Sequence, residues 1–143
     1  HARTFTHFMT EEKFNVVILD VADFKLINGT YGTKKGNEVL VYLSNAFRYY
    51  VKNGLLTRYE GDQLLGLFHS KVKMDVERIN RNINKIAEEA PIPNIRIKVG
   101  IYEDVDTNLS IPIICDRALM AEKSISKDFK TNVAFYTDEL NQK

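Results

Sequence analysis

The chain contains 143 residues, the length of one ordinary domain, and 44% of them are apolar, which is enough for a buried core and excludes a disordered protein. Its 20 basic and 19 acidic side chains give a net charge of +1, which argues against a dedicated nucleic-acid-binding protein. The single cysteine excludes an internal disulfide and fits a reducing compartment, so we expect a cytoplasmic domain, and no apolar run approaches the roughly 18 residues of a membrane span.

The first half of the chain predicts a buried strand, a helix and a hairpin. Phe14–Asp20 is a short and nearly continuous apolar run, which is typical of a strand buried on both faces. Thr33–Lys52 carries apolar side chains at helical spacing and predicts an amphipathic helix. Leu55–Tyr59 and Gln63–Phe68 predict two strands joined by a tight turn, in which Gly61 is the residue best suited to a positive φ.

The second half predicts two helices and two strands, followed by the start of a further helix at Asp138. The helices are expected over Met74–Ala87 and Ser110–Lys123. Asn94–Tyr102 alternates apolar and polar residues and predicts a half-buried strand, and Asn132–Tyr136 predicts a last short one. Since this order mixes hairpin and crossover connections, we expect an α+β fold with a central, mostly antiparallel sheet that contains a β-hairpin and is flanked by helices.

Two acidic residues are placed where they could bind a metal ion. Asp20 ends the buried first strand, and Asp62 lies in the hairpin turn. If the first strand lies beside the hairpin, both carboxylates meet at one sheet edge and provide the hard oxygen ligands that Mg²⁺ prefers. The alternative is structural, because an Asp in a tight turn often bonds its own backbone and an Asp after a strand often caps the next helix.

Three segments, in order, resemble the motifs of GGDEF domains, the diguanylate cyclase family. LDVADFKLINGTYGTKKGNEVL, residues 19–40, resembles D-I-D-x-F-K-x-I-N-D-x-x-G-H-x-x-G-D-x-x-L. RYEGDQL, residues 58–64, falls where R-x-G-G-D-E-F belongs, and CDRALMAEK, residues 115–123, resembles A-D-x-A-L-Y-x-A-K. The resemblance implies the nucleotidyl-cyclase-like form of the fold expected above, and we expect residues 1–143 to be a single GGDEF-like domain cut from a longer multidomain protein.

Members of that family condense two GTP molecules into cyclic di-GMP across a dimer of active sites. The resemblance implies that Asp20, Asp62 and the Val21 carbonyl would hold Mg²⁺, with Asp62 and Gln63 at the catalytic signature positions. Phe24 and Lys25 fall in the turn whose backbone amides hold phosphate. The remaining nucleotide-binding positions are two that read guanine and two basic ones, namely Asn28, Asn37, Lys123 and Lys127.

The chain also departs from the family pattern at positions that matter for catalysis. Gln63 replaces the signature Glu, and a neutral amide cannot serve as a general base. Glu60 replaces the first signature glycine, where backbone normally approaches the nucleotide. Asn37 replaces the Asp that accepts from guanine, and residues 51–54 hold Val-Lys-Asn-Gly instead of the Arg-x-x-Asp motif of product inhibition.

Three functional hypotheses follow. The first is a degenerate GGDEF domain that binds GTP or a relative with Mg²⁺, does not cyclise it, and regulates a neighbour such as a C-terminal EAL phosphodiesterase domain. The second is an active diguanylate cyclase, because both metal carboxylates are present. The third is a homodimerisation or docking module that binds no nucleotide, as the side chain of Glu60 and the altered guanine-reading position suggest.

Overall fold

The computed structural model describes residue 5 and residues 13–50, 54–69, 74–125 and 131–142. The described strands are β1 (Phe14–Val21), β2 (Leu55–Arg58), β3 (Leu64–His69), β4 (Ile97–Tyr102) and β5 (Val133–Phe135). The α-helices of these ranges are α1 (Phe24–Tyr31), α2 (Thr33–Arg48), α3 (Val76–Glu88) and α4 (Ile111–Lys123), and a 3₁₀ helix spans Asp138–Gln142. None of these helices has the combined length and apolar character needed to cross a bilayer.

The strands form one sheet in the order β2-β3-β1-β4-β5, which confirms the expected fold class. All neighbours pair antiparallel except β4 and β5, which are parallel. All eight residues of β1 are buried because helices cover both faces of the sheet, as the apolar run predicted. Val17, Leu19 and Val21 pack in one cluster with residues of α2 and α3, whereas Val16 and Ile18 pack in the other with residues of α4.

The hairpin is also confirmed. Gly61 has a φ of 53°, a conformation that glycine adopts without the steric cost of a Cβ. The Tyr59 amide donates to the Gln63 carbonyl at 2.9 Å, and the Gln63 amide donates to the Glu60 carbonyl at 2.8 Å. These bonds close the turn and fix Asp62 between β2 and β3.

Helix α1 was not expected from the sequence. Asp23 takes a left-handed conformation, with φ 56° and ψ 41°, and turns the chain sharply out of β1 into this helix. No residue of α1 is fully buried, but Phe24 and Ile27 pack against the core cluster. Tertiary contacts therefore maintain a helix that contains Gly29 and has little intrinsic preference to form.

The boundaries of helices α2 and α3 differ from those expected from the sequence. Helix α2 ends at Arg48 rather than Lys52, and the last part of the expected helix, residues 51–52, lies outside the described residues. Helix α3 starts at Val76 because the Asp75 carboxylate accepts from the amides of Glu77 and Arg78 as an N-cap.

The expectation that β4 is a half-buried strand was wrong. The strand begins at Ile97, and helix α4 covers the face that carries its polar residues. A Cβ added to Gly100 would collide with the Ala118 carbonyl and the Glu122 backbone, so this glycine allows α4 to pack directly on the strand. Lys98 consequently lies under a helix rather than in solvent, with its side chain 20% exposed.

Candidate metal and phosphate site

The site lies at the edge of the sheet where β1 ends and β3 begins. Leu19 pairs with Leu64 across these two strands, which places Asp20 and Asp62 just beyond the last paired residues. The two carboxyl groups are hydrogen-bonded to each other. The structure therefore brings together the two acidic residues that the sequence analysis singled out.

Both carboxyl groups have a raised pKa. Burial is the largest cause for each. The hydrogen bond and the charge of Asp20 add to the effect on Asp62, whose pKa rises to about 6, while its own backbone amide acts in the opposite direction. The pair thus retains a proton at mildly acidic pH, because a buried carboxylate and a partly buried one in contact do not both ionise readily without a cation.

One of the structural alternatives is also observed, and the other is not. The Asp62 carboxyl bonds backbone in its own turn, as an Asp in a tight turn often does, while it also contacts Asp20. The residue at the N-cap of α1 is Asp23 rather than Asp20, and its side chain makes no capping hydrogen bond. Asp20 therefore ends the strand without capping the helix.

Basic groups lie next to the acidic pair. Lys123 Nζ is 3.8 Å from Asp20 Oδ2 and 3.7 Å from Glu122 Oε2. Lys98 Nζ is 3.3 Å from Glu122 Oε1. Helix α4 thus places Lys123, one of the expected phosphate-binding residues, at the same sheet edge as the carboxylates.

The first turn of α1 follows directly after β1 and provides backbone donors near this edge. The amides of Phe24 and Lys25 are in the first turn of α1, where N–H groups have no acceptor within the helix. Asp23 and Ala22 are the only residues between these amides and β1. The first turn of α1 is accordingly suited to an anionic group, as the resemblance implied.

The two guanine-reading positions differ in exposure. Asn28 is partly buried, and its Oδ1 has no hydrogen-bond partner among the described residues. A Cβ added to Gly36 would collide with this Oδ1 and would lie 3.2 Å from the Phe24 ring. Gly36 therefore leaves the space that the Asn28 amide occupies, while the adjacent Asn37 is exposed.

Glu60 and Gln63, the two residues of the turn that depart from the family signature, also differ in exposure. Glu60 is exposed, and its backbone carbonyl helps to close the turn. The Gln63 side chain is partly buried, and its Oε1 finds no hydrogen-bond donor within the described ranges. Arg58 donates to the Gly61 carbonyl at 2.7 Å and steadies the same turn.

The arrangement fits a magnesium ion, for which the two carboxylates and further oxygens would be the ligands. In the ranges that the structure describes, no cluster of three His, Cys, Asp or Glu side chains could hold a metal ion. Mg²⁺ commonly uses one or two carboxylates and fills its other positions with phosphate oxygens and water. The raised pKa of Asp62 is the signature of a carboxylate pair that a divalent cation would neutralise.

The sequence analysis missed two residues of this region. Lys127, which it also expected here, lies outside the described residues. Glu122 and Lys98 were not among the candidates, although Glu122 stands where the late motif has alanine. A glutamate four residues after the buried Ala118, on the apolar side of a helix, was the signal that could have revealed it.

Comparison with protein families gives a match of the chain to the model "Diguanylate cyclase, GGDEF domain" over residues 3–127. Among curated proteins, the chain is 30% identical over 103 residues to diguanylate cyclase DosC of Escherichia coli strain K12. The alignment covers 71% of this chain but only 21% of that protein, so the chain spans about a fifth of the relative's length.

Two solved structures show the same fold. The active GGEEF domain of a diguanylate cyclase from Vibrio cholerae has a TM-score of 0.68 and 22% identity, covering 88% of this chain and 84% of that one. An EAL/GGDEF domain protein from M. capsulatus has a TM-score of 0.65 and 19% identity, covering 96% of this chain and 89% of that one.

Proposed function

Because the chain belongs to the GGDEF domain family, the domain family of cyclic di-GMP signalling, we propose that it binds GTP with Mg²⁺ in that signalling and does not cyclise it. The observation that carries the proposal is the hydrogen-bonded pair of Asp20 and Asp62 beside Lys123. This arrangement combines two acidic metal ligands with a cation for phosphate, which is what a metal-bound triphosphate requires.

Each part of the ligand has a group that suits it. Asp20, Asp62 and the Val21 carbonyl at the end of β1 would hold Mg²⁺, which supplies charge neutralisation to a triphosphate. The amides of Phe24 and Lys25 and the ammonium of Lys123 would bind phosphate oxygens. The partly buried Asn28 would bind the base and Asn37 would lie at its accessible side, with Lys127 as a further basic group.

The proposed loss of cyclisation depends on the signature turn. Cyclisation needs a 3′-hydroxyl of one GTP to lose its proton as it attacks the α-phosphate of the other. The amide of Gln63 has no basic form that could take this proton. Glu60 adds a negative charge at an exposed point of the turn, beside the place proposed for an anionic substrate. These side chains favour binding without turnover.

Such a domain would act through its neighbours. We infer that it is one module of a longer cytoplasmic protein, since its curated relative is about five times as long as the matched segment. An EAL phosphodiesterase domain is the proposed C-terminal partner, because the M. capsulatus protein is described as an EAL/GGDEF domain protein. A second copy of the chain is the other proposed partner, because cyclisation in this family joins two GTP-bound sites.

A titration and a product assay test the proposal together. The isolated chain should bind GTP in the presence of Mg²⁺, bind it far more weakly in a chelator, and lose affinity in Asp62→Ala without loss of fold. Chromatography of the same samples, including artificially dimerised protein, should show no cyclic di-GMP. Product at the rate of a standard cyclase would support an active enzyme instead, and absence of GTP binding would support a docking module.

A further inference from the structure

Glu122 is a charged side chain in a position that is otherwise apolar. It is fully buried, and it lies on the face of α4 that packs against β4, one turn after the buried Ala118. In the motif that residues 115–123 resemble, this position holds alanine. A buried carboxylate is strongly unfavourable unless it is paired with cations, so its partners determine what it does.

The partners of Glu122 are two lysines on different elements. Lys98, on β4, lies 3.3 Å from Oε1, and Lys123, the next residue on α4, lies 3.7 Å from Oε2. Within the described part of the chain no N–H group or hydroxyl donates to either Glu122 oxygen, and the Asp20 carboxyl is the other group with which Glu122 interacts. The two ammonium groups are therefore what keeps this buried charge in the fold.

The contact with Glu122 also fixes where the Lys123 ammonium lies. Lys123 Nζ is almost equally far from Glu122 Oε2 and from Asp20 Oδ2, at 3.7 and 3.8 Å. Its side chain is 60% exposed, so solvent or a ligand can reach it. In this structure, however, two carboxylates hold its charged end at the inner side of the site.

We propose that Glu122 is a positioning residue that holds Lys123 away from bound phosphate and so weakens nucleotide binding. The inference rests on the proposed function, because it concerns the phosphate-binding role of Lys123. A triphosphate can recruit Lys123 only by drawing the ammonium away from Glu122 as well as from Asp20. With alanine at this position, as in the motif, only Asp20 would compete with the phosphate.

Lys98 compensates the buried negative charge of Glu122. It pairs in register with Asp20 across β1 and β4, on the face that α4 covers, and its ammonium is the nearest counter-charge to Glu122. Lys98 and Glu122 therefore form a matched pair that can be removed together without changing the net charge. This supplies the control that a single substitution cannot.

The test is a set of binding titrations with GTP and with guanosine, both in excess Mg²⁺. The variants are Glu122→Gln, the charge-balanced Lys98→Thr with Glu122→Ala, Lys123→Met, and Lys123→Met combined with Glu122→Gln. Thermal unfolding of each variant identifies any that fail to fold, and the charge-balanced variant leaves no buried lysine unpaired.

We expect GTP to bind about fivefold more tightly to Glu122→Gln and to the charge-balanced variant, and guanosine affinity to stay unchanged. The gain in GTP affinity should disappear when Lys123 is replaced by Met. A general charge effect or a purely structural role of Glu122 would leave the gain in place.

The outcomes separate this inference from the proposed function. Wild-type binding of GTP with no gain in either Glu122 variant, or with a gain that persists without Lys123, would overturn the inference alone. Binding by the Glu122 variants but not by the wild type would support the inference and overturn the proposed function. Absence of binding in every variant would overturn both.

Discussion

The carboxyl groups of Asp20 and Asp62 hydrogen-bond to each other across the end of two paired strands, although 41 residues separate them along the chain. The contact follows from the register of β1 and β3, which ends with Leu19 opposite Leu64. Such a pair remains partly protonated until a cation compensates its charge. The same contact thus governs how the proposed site should respond to pH, to metal and to substitution.

We expect Mg²⁺-dependent GTP affinity to rise with pH. The ion would need both carboxylates ionised, and the pKa of Asp62 is raised to about 6. Because Asp62 must lose its proton before the ion binds, the affinity should rise about tenfold between pH 5 and pH 7. Above pH 7 the carboxylate is already ionised and the affinity should change little. Calorimetric titrations across this range measure the effect, and Asp62→Asn provides the control because GTP itself titrates equally in both. An unchanged affinity in the wild type would contradict the metal role of the pair.

We expect Asp62→Asn to stabilise the metal-free fold above pH 6. The pKa of Asp62 is higher in the folded chain than in the unfolded one, so the wild type loses stability as pH rises from about 4 to about 6. The variant should therefore match the wild type below pH 4 and exceed it by roughly 1 kcal/mol at pH 7, a value reduced for the partial exposure of the group.

Thermal unfolding at several pH values checks this prediction. Glu88→Gln, which removes an exposed carboxylate at the end of α3, is the matched control and should leave the difference between pH 4 and pH 7 unaltered. A variant at Asp62 that is less stable than the wild type at pH 7 would show that the contact with Asp20 is net favourable.

We expect Gly36→Ala to damage both the fold and the nucleotide site. The added methyl group would collide with the Asn28 amide and approach the Phe24 ring, so α1 and α2 would have to move apart. Such overpacking typically costs 1–3 kcal/mol. Gly29→Ala is the matched control, because a Cβ there meets nothing within 4 Å and alanine favours a helix by about 0.5–1 kcal/mol.

Denaturant unfolding and GTP titration distinguish the two glycine variants. Gly36→Ala should be less stable and bind GTP more weakly, whereas Gly29→Ala should be at least as stable as the wild type. Equal effects of both substitutions would mean that the space beside Asn28 has no special role.

The sequence predicted those features that depend on local chemistry. Gly61 marked the hairpin because a tight turn needs a residue that accepts positive φ, and the pairing of Asp20 with Asp62 followed once β1 lay beside that hairpin. The order of the predicted elements indicated the fold class and the resemblance to GGDEF motifs its particular form, and the sheet order and the family match confirm them. The nucleotide-binding roles of individual residues remain predictions.

Features that depend on packing between distant elements could not be read from the sequence. Helix α1 contains Gly29 and is kept by contacts of Phe24 and Ile27 with the core rather than by its own propensity. The alternation in β4 indicated an exposed polar face, because nothing local shows that Glu122 lies over Lys98. That ion pair joins residues 24 positions apart and becomes visible only when α4 is placed on the sheet.

We expect the combined variant Glu60→Gly and Gln63→Glu to gain cyclase activity that the wild type lacks. Loss of a general base typically lowers a rate by 10²–10⁴-fold, and glutamate at position 63 would restore a group able to accept a proton. Glu60→Gly removes one negative charge. A charge about 4 Å from a phosphate would repel it by a few kcal/mol at an effective dielectric near 20. Both changes lie in the turn that Gly61 and Arg58 already hold, so the hairpin should keep its shape.

Chromatographic detection of cyclic di-GMP, on artificially dimerised protein with GTP and Mg²⁺, measures the gain. Each single variant is tested beside the double variant, because a restored base should have little effect while Glu60 remains. The double variant carrying Asp62→Asn is the negative control, and it should lose whatever activity is gained. A double variant that binds GTP and still forms no product would show that the barrier to cyclisation lies elsewhere than in these two side chains, with Asn37 as the next position to restore.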